Sequence, residues 1–107
     1  MEKSEGVMVD SKEIFEALRV VEDPEMGIGI VDLGLIYRAE EVDGAIEIEF
    51  TLTYPGCPVG DQIREEIVAR LFSCFPANKV RIALVWEPIW GPEKMDEALR
   101  VEMGYPI

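Results

Sequence analysis

Asp43-Gly44-Ala45-Ile46-Glu47-Ile48-Glu49-Phe50-Thr51-Leu52-Thr53-Tyr54-Pro55-Gly56-Cys57-Pro58 is the stretch whose reading decides the fold. Ile46, Ile48, Phe50 and Leu52 alternate with Glu47, Glu49, Thr51 and Thr53, the period-two pattern of a strand with one buried face. Tyr54-Pro55-Gly56 breaks the pattern with turn residues. Pro58 suits the first position of a helix, where its missing N–H would be unpaired anyway, which places Cys57 at or beside the N-cap. A thiolate there faces free backbone N–H groups and the positive end of the helix dipole, so its pKa is expected to be depressed. Such a thiol is suited to bind a metal or to react. Free cysteine is also among the most buried residue types and often acts as a small hydrophobe, but that role does not require a helix end.

Working outward, Asp43-Gly44 is a strong two-residue hairpin signal, with Leu35–Val42 as the preceding strand and Ala45–Thr53 as the following one. Pairing Val42 with Ala45 sets Arg38 opposite Glu49 and Tyr37 opposite Phe50. Leu35, Tyr37 and Ala39 then share the face of Ile48, Phe50 and Leu52. Upstream, Asp10 and Glu13 form a capping-box pair, Val9 is placed to staple onto Ile14, and Ile14, Phe15, Leu18 and Val21 make a helical stripe that ends near Glu22, ahead of Pro24. Residues 1–8 read as a loose tail and 9–107 as one domain. Downstream, Ile63, Ile67, Leu71 and Phe75 recur at helical spacing, Val80 to Trp86 alternate as a third strand, and Pro92 opens a last helix with Met95, Ala98 and Leu99 on one side.

The predicted order is helix–strand–strand–helix–strand–helix, an α+β domain with helices on one face of a small mixed sheet. The helical link makes the second and third strands parallel, with a right-handed crossover. The Asp23–Gly34 loop, the Cys57 loop and the Trp86–Trp90 loop therefore gather at one sheet edge, opposite Asp43-Gly44. Loops gathered on a rigid sheet are where sites form. Asp23, Glu25 and Asp32 lie in the first of these loops. Turn formation or capping through the side chain accounts for Asp23 and Asp32 taken singly, while the pair hints at metal or proton handling. Trp86 and Trp90 suit either core closure or ligand contact.

Composition narrows the function. Hydrophobic residues make up 49% of the 107, enough for one domain with a real core. The net charge of −12 repels phosphate backbones and anionic lipid, so neither nucleic acid nor membrane is expected as a partner. A polar start and the lack of a long apolar run make the cytoplasm the expected compartment. The absence of histidine removes the commonest general base and metal ligand, and with it any Ser-His-Asp or Cys-His nucleophile within the chain. Cys57 and Cys74, at opposite ends of a helix about 24 Å long, are too far apart for a disulfide.

Asp23-Pro24-Glu25, Val31-Asp32-Leu33-Gly34-Leu35-Ile36-Tyr37, Thr51-Leu52-Thr53 with Gly56-Cys57-Pro58, and Val85-Trp86 with Pro88-Ile89-Trp90 together resemble the SufT/PaaD-like family of metal–sulfur cluster assembly proteins, from about Ile14 to the C-terminus. The resemblance implies a small α/β domain, a role in maturing iron–sulfur proteins alongside assembly machinery and clients, and Cys57 as the key residue, a ligand to iron or to a transient iron–sulfur cluster. Asp23, Glu25, Asp32, Thr51 and Thr53 match the other signature positions. The cysteine-rich extension of PaaD proper is absent. One thiol cannot hold a cluster alone, so the remaining ligands would come from a partner, a small thiol or a homodimer supplying a second Cys57. The expected role is non-enzymatic. The alternatives are a metal-free adaptor and, ranked below both, a thiol enzyme with Asp32 or Glu25 as base and Thr51 or Thr53 as hydrogen-bond donor.

Overall fold

In the computed structural model, which describes residues 8–104, the chain forms the expected two-layer α+β domain. Helix α1 (Ser11–Leu18) leads to a short ladder, β1 (Glu22–Asp23) with β2 (Ile28–Gly29). Then come the hairpin β3 (Ile36–Val42) and β4 (Ala45–Phe50), helix α2 (Gly60–Cys74), strand β5 (Lys79–Leu84), a 3-10 turn at Pro92–Lys94 and helix α3 (Glu97–Glu102). The main sheet runs β3-β4-β5, antiparallel across the hairpin and parallel between β4 and β5. The tail expected over residues 1–8 lies, but for Met8, outside the described residues, as do the last three of the 9–107 unit.

The core lies between the sheet and helices α1 and α2. Ile14 and Leu18 from α1, Ile46, Ile48 and Phe50 from β4, and Ile63, Ile67 and Leu71 from α2 are all buried. Truncating a side chain such as Leu71 to alanine in a core of this kind costs about 2–5 kcal/mol. At the start of α1 the Asp10 N–H donates to Glu13 Oε1 (3.0 Å), and Ser11 Oγ–H donates to Ala39 O (2.6 Å). Arg70 on α2 closes the other end by donating to Ala17 O (2.7 Å).

Several boundaries differ from expectation, each for a local reason. Helix α1 stops at Leu18 rather than near Glu22, because Val21 turns its carbonyl to the Ile30 N–H (2.9 Å) and the chain enters the β1–β2 ladder. That ladder sits inside the segment read as a loop, whose Ile30 and Leu33 are buried as expected. Tyr37 does not pair with Phe50. Ile36 does, and Arg38 still faces Glu49, so Tyr37 is the extra residue of a bulge. The bulge buries Leu35 and Ile36 together and frees the Tyr37 hydroxyl to donate to Pro88 O (2.8 Å). Strand β5 ends at Leu84 instead of Trp86, its last rung being Val85 N–H to Phe50 O (2.8 Å). Pro92 opens a 3-10 turn, and helix α3 begins later, behind Asp96, whose carboxylate accepts the Ala98 and Leu99 N–H groups.

The largest correction concerns Cys57. Helix α2 begins at Gly60, with Val59 as its N-cap. Cys57 instead heads a separate turn, its carbonyl accepting the Gly60 N–H (3.3 Å). Gly60 packs against Leu52, where a Cβ would lie 2.8 Å from Leu52 Cδ1. Cys57 thus stands ahead of the first helical turn, where the dipole's field is concentrated.

Candidate functional site

The three loops do meet at the edge opposite Asp43-Gly44, and a buried carboxylate fixes the first of them. Asp23 is buried, and its Oδ1 accepts the Glu25 N–H (2.8 Å), while its carbonyl accepts the Met26 and Gly27 N–H groups (3.2 and 2.7 Å). This aspartate turn aims Glu25 outward. On the facing loop, Gly56 takes a positive φ of 81° and brings Cys57 round. The Cys57 thiol donates to Glu25 Oε1 (3.7 Å), and the Tyr54 hydroxyl donates to the same oxygen (3.3 Å).

Loss of surrounding water, and then the negative charge of Glu25, push the Tyr54 phenol above its ordinary pKa. The phenol is therefore kept protonated, as a donor. A thiol and a carboxylate side by side offer a soft and a hard donor on an accessible edge. Among the described residues, no group of three or more His, Cys, Asp or Glu side chains is placed to hold a metal ion.

Beside this pair opens a largely apolar cleft of about 390 Å³, lined by Leu52, Tyr54, Pro55, Trp86, Ile89 and Trp90, with Thr53 and the charged Glu87 also in its wall. Its far wall is pinned from below: Trp90 Nε1–H donates to Leu33 O (2.7 Å), and Asp96 N–H donates to Asp32 O (2.8 Å). Trp90 packs against the core, whereas Ile89 is 76% exposed. Trp90 thus closes the core, one of the two roles considered for it, and also lines the cleft.

The expected site residues divide. Cys57 and Glu25 are brought together. Asp23 shapes the loop from within. Asp32 turns its carboxylate to Arg19 (3.3 Å). Thr51 is fully buried, its Oγ1 without a hydrogen-bond partner among the described residues. Thr53 borders the cleft. Among the described residues, no hydrogen bond ties Asp32, Thr51 or Thr53 to the thiol. Tyr54, read from sequence only as a turn residue, is the third member of the Cys57–Glu25 group. Its place three residues before a loop cysteine is the one signal that pointed to it.

Comparison with known proteins shows which family the sequence matches. Residues 11–84 match the family described as iron–sulfur cluster assembly protein. A Porphyromonas gingivalis protein named Fe-S protein maturation auxiliary factor is 37% identical over 88% of this chain and 90% of its own length. The Bacillus subtilis auxiliary factor YitW is 36% identical over 85% of this chain and 90% of its own. The Staphylococcus aureus auxiliary factor SufT is 35% identical over 79% and 98%. Among solved structures, a domain of unknown function from Bacillus anthracis superposes with a TM-score of 0.81 at 31% identity, over 90% of this chain and 92% of that one. A conserved hypothetical protein of Thermotoga maritima gives 0.77 at 31%, over 91% and 96%.

Proposed function

This chain belongs to the iron–sulfur cluster assembly protein family, and we propose that it serves this accessory role in the cytoplasm by lending Cys57 as a thiolate ligand to iron or to a transient iron–sulfur cluster in passage to a client protein. The observation that carries the reading is the pairing of the half-buried Cys57 thiol with Glu25 Oε1 at 3.7 Å on the edge where the family's sequence motifs converge. The metal is cargo. One thiol and one carboxylate leave an incomplete ligand set, so the remaining ligands come from assembly machinery, the client, a small thiol or a second Cys57 in a dimer. Incomplete ligation suits a carrier, which has to release what it holds. Glu25 and Tyr54 orient the thiol, Asp23 holds the loop that carries Glu25, and the protein performs no catalysis of its own.

Anaerobic loading with iron and sulfide, followed by absorbance and metal analysis, tests this. The unaltered chain and Cys74→Ser should retain iron, and Cys57→Ser should lose it while unfolding within about 1 kcal/mol of the unaltered chain. Equal iron on Cys57→Ser removes Cys57 from the role. The apolar cleft beside the thiol favours one other reading, a metal-free adaptor. That reading takes over if the unaltered chain never binds iron yet still supports maturation of clients.

A further inference from the structure

Strand β5 is an edge of the three-stranded sheet. Its parallel register, closed by the Val85 N–H on Phe50 O, turns the N–H and C=O groups of Arg81 and Ala83 toward β4. Backbone groups alternate in direction along a strand, so those of Val80, Ile82 and Leu84 point away from the sheet. Of these outward groups, the Ile82 carbonyl receives a side-chain donor from among the described residues, Arg64 Nη2 at 3.1 Å.

Helix α2 runs beside this edge. Arg64, Val68 and Phe72 follow one helical row at four-residue spacing, and Phe72 is 65% exposed. Val68, Phe72, Pro76, Ala77 and Val80 give the apolar lining of an open groove of about 510 Å³ that Asn78 and Lys79 also border. On the opposite face of the sheet the charges are ordered by strand. Glu47 of β4 faces Arg81 of β5 and pairs with it at 3.0 Å. Lys79 and Arg81 are exposed, and β5 carries no acidic residue, although the chain as a whole carries −12.

We propose that β5 is a docking edge for an extended segment of another protein in which aliphatic and acidic residues alternate. Such a segment adds as the next strand. Its backbone completes the ladder at Val80, Ile82 and Leu84, its aliphatic side chains enter the groove beneath Val68 and Phe72, and its carboxylates lie beside Lys79 and Arg81. Arg64 leaves Ile82 O as the strand arrives. The net charge opposes an acidic partner at long range, so recognition is local, through the ladder and these two cations. A second copy of the chain fits this edge less well. Pairing β5 with itself about Ile82 would set Arg64 against its counterpart and double the net negative charge.

The test uses a blocked peptide of about eight residues alternating valine and glutamate, with a valine–lysine peptide as counterpart, added to the full chain. Amide exchange followed by NMR should slow about tenfold or more at Val80, Ile82 and Leu84 with the glutamate peptide only. Leu84→Pro, which deletes an outward N–H without touching the β4 ladder, and Phe72→Ser should each weaken binding about tenfold. The double variant Lys79→Glu with Arg81→Glu should transfer preference to the lysine peptide, and it keeps the test alive if Leu84→Pro does not fold. The proposal is overturned if the glutamate peptide does not bind at millimolar concentration, if both peptides bind alike, if protection appears elsewhere, or if sedimentation shows β5 occupied by a second copy.

Discussion

The two ends of the sheet are built by different means. At the closed end, Asp43 (φ 52°) and Gly44 (φ 87°) make the tight hairpin turn. The Glu41 carboxylate accepts the Gly44 N–H (2.6 Å), and Asn78 Nδ2 donates to Gly44 O (3.0 Å). The first of these bonds joins residues three positions apart, and the second ties the turn to a residue 34 positions on. At the open end the fixing bonds are long-range: Trp90 to Leu33, Tyr37 to Pro88, Asp96 to Asp32, and Cys57 to Glu25. The turn at the closed end takes its shape from local rule and is tied down by one long-range bond. Three of the open end's bonds make a clasp from the C-terminal segment, and the fourth joins the two loops that carry the thiol and the carboxylate.

The sharpest way to break this contrast is at Gly34, within the Val31–Tyr37 motif. It has φ 78°, and a Cβ there would sit on the Lys94 carbonyl, 2.6 Å from its carbon. Gly34→Ala should cost about 2–5 kcal/mol in urea unfolding, combining backbone strain with overpacking of the clasp. Gly56 has φ 81°, and a Cβ there would meet nothing within 4 Å, so Gly56→Ala should cost only about 1–2 kcal/mol. Equal losses would mean that the clasp contributes nothing at Gly34.

A smaller effect is expected from Trp90→Phe, which keeps an aromatic ring but leaves Leu33 O without its donor. The loss should be about 1–2 kcal/mol, measured the same way, and an unchanged midpoint would show that the clasp does not rest on this bond. Smaller still is the titration of Tyr54, isolated by difference from Tyr54→Phe in ultraviolet absorbance. Its phenol should ionise above the ordinary value of 10.0, and Glu25→Gln, by removing a negative charge, should lower it. A pKa raised on folding contributes stability that is full below the unfolded value and is lost as pH rises through the folded one.

The weakest handle lies on the outer face between the two ends. Arg38 first, then Arg81, hold Glu47 below the usual carboxylate range. Its contribution is present above the unfolded pKa and fades as pH falls through the folded one. Glu47→Gln should flatten that acid limb in a pH series of unfolding midpoints, and high salt should do the same to the unaltered chain.

The alternation of Ile46, Ile48 and Phe50, the Asp43-Gly44 turn and the helical row Ile63, Ile67, Leu71 were each legible because a strand or helix imposes its period on the residues it buries. From them followed the order of elements along the chain, the parallel β4–β5 pair and the convergence of three loops on one edge, whereas the order β3-β4-β5 within the sheet came from the tertiary structure. The sequence motifs likewise pointed to Cys57 and Glu25, and to a family concerned with iron–sulfur clusters. Periodicity carries no information about where a helix gives way to a turn whose hydrogen bonds are equally good. Pro58 therefore suggested a helix start that Gly60, packed on Leu52, moves downstream.

The bulge at Tyr37, the burial of Asp23 and Thr51, the pairing of Asp32 with Arg19 and the meeting of Tyr54 with Glu25 were decided only by tertiary structure. Each depends on which distant segment arrives to satisfy or cover the group. Glu25 and Cys57 are separated by 32 positions, and Trp90 and Leu33 by 57. Local sequence sets which backbone shapes are cheap, whereas contacts at such separations are settled by packing the whole chain around one core, where every buried polar group needs a partner or leaves a cost.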